Sequence, residues 1–140
     1  MKMLRRLVAL AAGLSALVVL TACGGRSEAA GPKPTVISIH FSHFQQEVVT
    51  ARAGQPISLI IRNDDPIDHE WIVGDEATHT RHRLGTEPHH GERPTEQSIA
   101  ALSSVRTTVT FQTPGTYRYI CHLPGHEAYG MVGVVTVTGG

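Results

Sequence analysis

Residues 121–131, CHLPGHEAYGM, place a thiol, an imidazole and a thioether at equal intervals, in the pattern Cys-x4-His-x4-Met. These side chains supply the soft and borderline donor atoms that select copper. The four residues between successive donors are enough to fold each donor back onto one ion, and a Pro-Gly pair helps the first interval to turn. The spacing therefore predicts a copper-binding loop formed by Cys121, His126 and Met131.

A copper site that transfers electrons combines two His and one Cys with a weak axial Met, so one further His is required. His69 is the best candidate, because it follows the turn at residues 63–66 and begins the apolar run 71–73. The alternative is that His69 lies in a loop and binds no metal. His40 is a weaker candidate because it is out of phase with the apolar face of its own strand, and His43 lies in a predicted loop.

Short segments of alternating apolar and polar residues follow one another from Thr35, and this period of two is typical of half-buried strands. In the first segment, Ile37, Ile39 and Phe41 are predicted to share the buried face. Seven short strands, separated by turn signals and with almost no helical periodicity, predict an all-β sandwich. The predicted strands cover residues 36–41, 47–51, 56–62, 69–73, 105–111, 116–121 and 131–138.

Residues 76–97 interrupt this pattern, with four histidines, two prolines and few apolar side chains. We predict a long loop with one helical turn near 77–84. Loops of this length are uncommon in compact domains and are either functional or disordered, and the sequence leaves that choice open. The histidines are interpreted as solvated, with weak chelation of copper or zinc as the alternative. They are His79, His82, His89 and His90.

The first 22 residues have a basic start, an apolar run and small residues before Cys23, which is the layout of a secretory signal. Residues 20–23, LTAC, resemble the bacterial lipobox, which implies that Cys23 is acylated and anchors the mature chain to the membrane. The alternatives are ordinary signal cleavage, or an uncleaved anchor that is short for a membrane span. Residues 23–34 are predicted to form a flexible tether, and residues 35–140 one domain outside the cytoplasm.

The chain has two cysteines, and acylation of Cys23 would leave Cys121 without a disulfide partner. A lone thiol is a liability in an oxidising compartment, so metal ligation is the favoured interpretation and a buried inert Cys is the alternative.

Removal of residues 1–22 leaves nine basic and twelve acidic residues, a net charge of minus three. The arginines are scattered, which argues against nucleic-acid binding. A chain of this length is predicted to fold as a single domain, and we expect a monomer.

From about residue 35 to residue 137, the chain resembles the cupredoxin family of single-domain blue copper proteins. The resemblance implies a Greek-key β-sandwich in which His69, Cys121, His126 and Met131 bind one copper ion. It also implies a one-electron carrier that docks transiently to redox partner proteins through the surface around His126. The residue after the first His is often small and polar in this family and helps to hold the cysteine sulfur, but here it is Glu70, so the hydrogen bonding of the sulfur is left open.

Three other functions are alternatives to electron transfer. A copper-binding and delivery protein would use the same site together with the His-rich segment. A multicopper oxidase has the same Cys, His and Met spacing, but it also has a His before the Cys, where this chain has Ile120. His122 is therefore predicted to lie at the surface or next to a ligand. A Cys nucleophile with a His base is disfavoured by the added Met and the extended setting, so no enzymatic activity is predicted.

Overall fold

The computed structural model describes residues 33–85 and 90–140. The predicted signal segment, Cys23, most of the predicted tether and His89 therefore lie outside the described residues. Nine strands and one helix form within these two ranges. They are β1 (Thr35–His40), β2 (His43–Phe44), β3 (Val48–Arg52), β4 (Pro56–Asn63), β5 (His69–Gly74), α1 (Glu76–Arg83), β6 (Glu96–Ile99), β7 (Ser104–Thr110), β8 (Gly115–Ile120) and β9 (Val132–Thr138).

The strands form two sheets that pack against each other. One sheet has the order β2-β1-β4-β7 and the other has the order β3-β9-β8-β5-β6. The pairs β1–β4 and β3–β9 are parallel, and the remaining pairs are antiparallel. Five of the eight connections between successive strands pass from one sheet to the other, and the remaining three join β1 to β2, β5 to β6 and β8 to β9 within one sheet. The predicted all-β sandwich is confirmed.

The core lies between the sheets and follows the predicted alternation. Ile37, Ile39, Leu59 and Ile61 from the first sheet are fully buried, and they pack in one cluster with Trp71 and other side chains of the second sheet. Alternation places these side chains on one face because successive Cβ atoms of a strand point to opposite sides.

The prediction for Phe41 was wrong. Strand β1 ends at His40, and Phe41 is 78% exposed. Phe41 and Ser42 have φ values of 53° and 56°, so the backbone turns out of the strand before the period of two would bury Phe41. His40 is exposed as predicted, whereas His43 lies in the short strand β2 and not in a loop.

The segment 76–97 is more regular than predicted. Helix α1 is eight residues long and begins after Asp75, whose carboxylate accepts a hydrogen bond from the Thr78 amide at 2.9 Å. Strand β6, which the sequence did not indicate, pairs with β5 at the edge of the sheet. The sequence EQSI has little apolar alternation, so this strand depends on the exposed edge of β5 and not on its own pattern.

Gly133 tests how tightly the second sheet is packed, because it lies opposite Tyr119 in the β8–β9 pair. A Cβ atom at position 133 would lie 2.2 Å from Cζ of Tyr119, which is fully buried and donates its hydroxyl to the Gln46 carbonyl. We expect Gly133→Ala to lower the free energy of unfolding by about 1–3 kcal/mol in urea titrations of the metal-free protein.

The matched control is Gly139→Ala, because a Cβ atom there meets no heavy atom within 4 Å. Equal effects of the two substitutions would contradict the packing argument.

Candidate metal centre

The four predicted ligands lie at one end of the second sheet. Cys121 directly follows β8 and Met131 directly precedes β9, and these antiparallel strands bring the two residues together, with the Cys121 amide donating to the Met131 carbonyl at 3.2 Å. His69 begins β5, which is antiparallel to β8 and therefore starts where β8 ends. His126 lies in the loop between Cys121 and Met131.

Three donor atoms converge at this end. Nδ1 of His126 lies 3.2 Å from Sγ of Cys121 and 3.3 Å from Nδ1 of His69, and all three donor atoms lie within 4.8 Å of one another. Met131 is fully buried, and its amide donates to the His126 carbonyl at 3.0 Å. The structure thus brings together the side chains of His69, Cys121 and His126, and it holds Met131 beside two of them.

This donor set fits a copper ion. Metal–ligand bonds of about 2.0–2.3 Å at tetrahedral angles place neighbouring donor atoms about 3.3–3.6 Å apart, close to the separations found here. Two imidazoles, a thiolate and a thioether form the ligand combination typical of copper sites that transfer electrons. His69, Cys121 and Met131 are buried and His126 is half-buried, so the site is closed on all sides except that of His126.

Asp65 supports the site and was missed by the sequence analysis. Its Oδ2 lies 3.0 Å from Nε2 of His69, so this nitrogen donates its hydrogen to the carboxylate and the Nδ1 lone pair faces His126. The amides of Phe41 and Ser42 donate to the same carboxylate at 2.8 and 2.7 Å. The sequence did contain a signal that could have identified Asp65, because a carboxylate there lies four residues before the candidate ligand His69.

These contacts keep Asp65 ionised. Burial raises the pKa of Asp65, but the hydrogen bonds from the Ser42 and Phe41 amides and from His69 outweigh it and leave the pKa below its ordinary value. An ionised Asp65 holds the ring of His69 in one tautomer and one orientation.

The sulfur of Cys121 receives a hydrogen bond from the main chain. The Glu70 amide donates to Sγ at 3.3 Å, so the unusual side chain at position 70 does not remove this bond. Burial raises the pKa of the Cys121 thiol to about 11, although the amides of Glu70 and Leu123 lower it. The metal-free protein therefore keeps the thiol proton at neutral pH, and a metal ion must displace it.

His126 lies in a loop with several exposed residues, and Glu127 beside it pairs with Arg83 at 2.8 Å. Burial, together with the neighbouring His69, lowers the pKa of His126, so the ring is neutral at pH 7 and able to bind a metal ion. The residues around it are exposed, and Tyr129 is 74% exposed. The predicted patch consists of Pro124, Gly125, Ala128 and Tyr129.

The histidines of the segment 76–97 are buried, so the interpretation of a solvated loop was wrong for those described. His79 and His82 lie on the face of α1 that packs on the sheet, and the side chain of His90 is only 3% exposed. His82 lies 4.8 Å from His90 between ring centroids. Helix α1 turns His79 and His82 towards the sheet, and the side chain of His90 is buried in the segment that leads into β6.

His122 belongs to this second group of histidines. Its side chain is 3% exposed, its Nε2 lies 3.0 Å from Nδ1 of His79, and its ring is stacked on that of His82. It is next to Cys121 in sequence, but its ring lies against α1 and not at the surface. Burial, with the nearby His79, lowers the pKa of His122 to about 4, and burial also lowers the pKa of His79.

Comparisons with known proteins give one family. The family described as Cupredoxin-like domain matches residues 13–137. Auracyanin-A of Chloroflexus aurantiacus is 28% identical over 151 aligned positions, which cover 90% of this chain and 93% of that protein. The copper-resistant cuproprotein CopI of Rubrivivax gelatinosus is 30% identical over 98 residues, 67% of this chain, and the match spans only 59% of that protein.

Solved structures agree with this result. The dithionite-reduced auracyanin of Roseiflexus castenholzii superposes with a TM-score of 0.63 at 24% identity, covering 77% of this chain and 99% of that one. Auracyanin A of Chloroflexus aurantiacus, described as a "blue" copper protein, gives a TM-score of 0.57 at 25% identity and covers 76% of this chain and all of that one.

The buried His122 predicts how stability depends on pH. Its ordinary pKa is 6.5 and its folded pKa is about 4, so between these values the unfolded chain binds a proton that the folded chain does not. Its contribution to stability is full above pH 6.5 and is lost as the pH falls towards 4, by up to about 3 kcal/mol.

Urea unfolding of the metal-free protein with chelator present tests this expectation. From about pH 7 to about pH 5 the free energy of unfolding should fall by about 2 kcal/mol more in the wild type than in His122→Gln. His43→Gln, at an exposed position, should keep the wild-type dependence. The argument fails if His122→Gln retains the wild-type slope.

Proposed function

Because the chain belongs to the cupredoxin-like family, we propose that it is a blue copper protein that carries single electrons outside the cytoplasmic membrane. The proposal rests on the meeting of the His69 and His126 Nδ1 atoms with Sγ of Cys121 at the closed end of the sandwich. Copper is the cofactor. We assign His69, Cys121, His126 and Met131 as its ligands, and we assign no catalytic residue.

The protein contributes a rigid ligand frame. Copper, when bound, supplies the one-electron chemistry by alternating between Cu(I) and Cu(II). The β8–β9 pair fixes Cys121 relative to Met131, and Asp65 fixes the ring of His69. These contacts would hold the donor atoms in place in both oxidation states of a bound copper ion. The buried position of Cys121 and Met131 excludes water from the sulfur ligands. A site that changes little on reduction needs little reorganisation.

Electrons would leave through His126, the partly exposed member of the ligand set. The apolar patch around it, which includes the exposed Tyr129, suits a small and short-lived contact with a redox partner protein. Weak docking is appropriate for a carrier, because it must release one partner before it meets the next.

The location outside the cytoplasm follows from the N-terminal sequence. Residues 1–22 have the layout of a secretory signal, and Cys23 stands where a lipobox cysteine is acylated. If residues 23–34 form the predicted flexible tether, its twelve residues would let the domain move about 20 Å from a lipid anchor. Within residues 33–85 and 90–140, no helix has the length and apolar character needed to span a bilayer.

Copper binding and delivery is the second candidate function. It is favoured by the 30% identity to a copper-resistant cuproprotein and by the buried group of histidines near the proposed site. Such a protein would hold copper at the same ligands but pass on the ion, whereas a carrier keeps the ion and passes on the electron. Reversible cycling at an electrode without loss of copper would distinguish the carrier.

Loading the full-length protein with Cu(II) tests the assignment of Cys121. We expect an intense blue colour and narrow copper hyperfine splitting in the wild type, because both depend on a thiolate bound to copper. Cys121→Ser should abolish both, and His43→Gln should retain both. A blue Cys121→Ser protein would show that the ligand assignment is wrong.

Asp65→Asn tests how His69 is held. The change removes the charge next to Nε2 and leaves one acceptor oxygen for several donors, so we expect copper affinity to fall by about 10–100-fold in competition with a chelator. Asp64→Asn is the control, because Asp64 pairs with Arg62 at the surface. Equal copper affinities of the two variants would show that Asp65 does not support the proposed site.

A further inference from the structure

Helix α1 packs against the sheet without an apolar face. Its sequence, EATHTRHR, has one alanine as its only apolar residue, and its buried side chains are His79 and His82. Surface helices of globular proteins usually dock through an apolar stripe facing the core. The contact of α1 with the sheet must therefore depend on polar groups at the positions of these histidines.

Two imidazoles and a carboxylate meet below this helix. Nε2 of His82 lies 3.5 Å and Nδ1 of His90 lies 3.8 Å from Oε2 of Glu96, and one donor atom from each residue lies within 4.8 Å of the others. These separations exceed hydrogen-bond lengths of about 2.7–3.2 Å. They are close to the distance of about 3.4 Å between ligands in a tetrahedral site with bonds of about 2.0–2.1 Å.

The tautomer of His82 suits metal binding. Its Nδ1 lies 2.8 Å from the Thr78 carbonyl, which only accepts, so Nδ1 donates its hydrogen and Nε2 is the ring nitrogen that faces Glu96. Metal-binding histidines commonly donate their second ring N–H to a carbonyl or carboxylate. The stacked ring of His122 further fixes the plane of His82.

Two arginines hold the side chain of Glu96 in place. Its side chain is 6% exposed, Arg81 donates to Oε1 at 2.7 Å, and Arg93 donates to Oε2 at 3.1 Å. A carboxylate has about four lone-pair sites, so Oε2 can still bind a metal ion while the arginines donate to Glu96. The competing explanation is an ion-pair network of His82 and His90 with Glu96 that takes no metal, and counting the bound metal ions separates the two.

We propose that His82, His90 and Glu96 form a second metal site, for a divalent cation of borderline softness, Zn²⁺ or Cu²⁺. Two imidazoles and one carboxylate are a known three-residue zinc set that leaves a fourth position open, and imidazole also suits Cu²⁺. The site goes beyond the proposed electron carrier. An ion there would join α1, the segment before β6 and β6 itself, and so fasten the helix to the sheet.

The second site shares no ligand with the first, but it lies close to it. Glu70 connects them, because its Oε1 is 3.5 Å from Nε2 of His90 and its amide donates to Sγ of Cys121. The dipeptide formed by Cys121 and His122 makes a second connection, since the ring of His122 is stacked on that of His82.

Metal counting in a background that lacks the first site tests the proposal. Cys121→Ser combined with His126→Gln removes two of the three donor atoms that converge there. This protein, incubated with Zn²⁺ alone or Cu²⁺ alone and then exhaustively buffer-exchanged, should retain one ion per chain in at least one arm. Adding His82→Gln and His90→Gln should abolish that binding, whereas adding His43→Gln should leave it intact.

Two results would overturn the proposal: no ion retained in either arm, or an ion retained after His82 and His90 are replaced. The arm that retains the ion identifies the cation. Because the first site is absent from this background, the result does not depend on the proposed electron carrier, which the blue colour of the wild type tests separately.

Hydrogen exchange provides a second measurement that does not need the His82 and His90 variants to fold. In the same background, the retained cation should slow exchange of the α1 amides by at least about tenfold relative to protein with chelator. Amides of β3, at the opposite edge of the sheet from β6, should be unaffected. Unchanged exchange in α1 would show that no ion fastens the helix and would overturn the proposal.

Discussion

Antiparallel pairing of β8 with both β5 and β9 is the constraint on which the proposed copper centre depends. It makes the end of β8, the start of β5 and the start of β9 coincide, and Cys121, His69 and Met131 are placed at those three points. His126 completes the set of proposed ligands from the short loop between β8 and β9. The hydrogen-bonded ladder, which is anchored by the buried core, therefore sets the distances between donors that are far apart in sequence.

The backbone is strained at this end of the sandwich. Phe41 and Ser42 adopt left-handed backbone angles that residues other than glycine rarely adopt. The amides of both residues donate hydrogen bonds to Asp65. Asp65 in turn orients His69. An exposed Phe41 is thus the consequence of a turn that holds a carboxylate, and the carboxylate fixes a ring that must keep one orientation.

The His-rich insertion shows how a polar segment is built into an apolar fold. Helix α1 lacks an apolar stripe and covers the sheet with imidazoles, next to a buried Glu96 held by arginines. Burial of such groups is costly unless each one is paired or bound to a cation. The insertion also adjoins the first centre through Glu70 and His122, so the two parts of the molecule share a boundary of hydrogen bonds and stacked rings.

The sequence by itself determined the features that depend on local spacing. The period of two placed Ile37, Ile39, Leu59 and Ile61 in the core, and the Cys-x4-His-x4-Met pattern identified one loop of donors, because both are set by neighbours along the chain. Only the tertiary structure decided what long-range contacts control. The amides of Phe41 and Ser42 hold Asp65 from a distant part of the chain, β6 exists because β5 offers it an edge, and His82, His90 and Glu96 meet because α1 folds onto the sheet. No local pattern encodes these meetings, because each depends on backbone paths that are fixed when the two sheets pack.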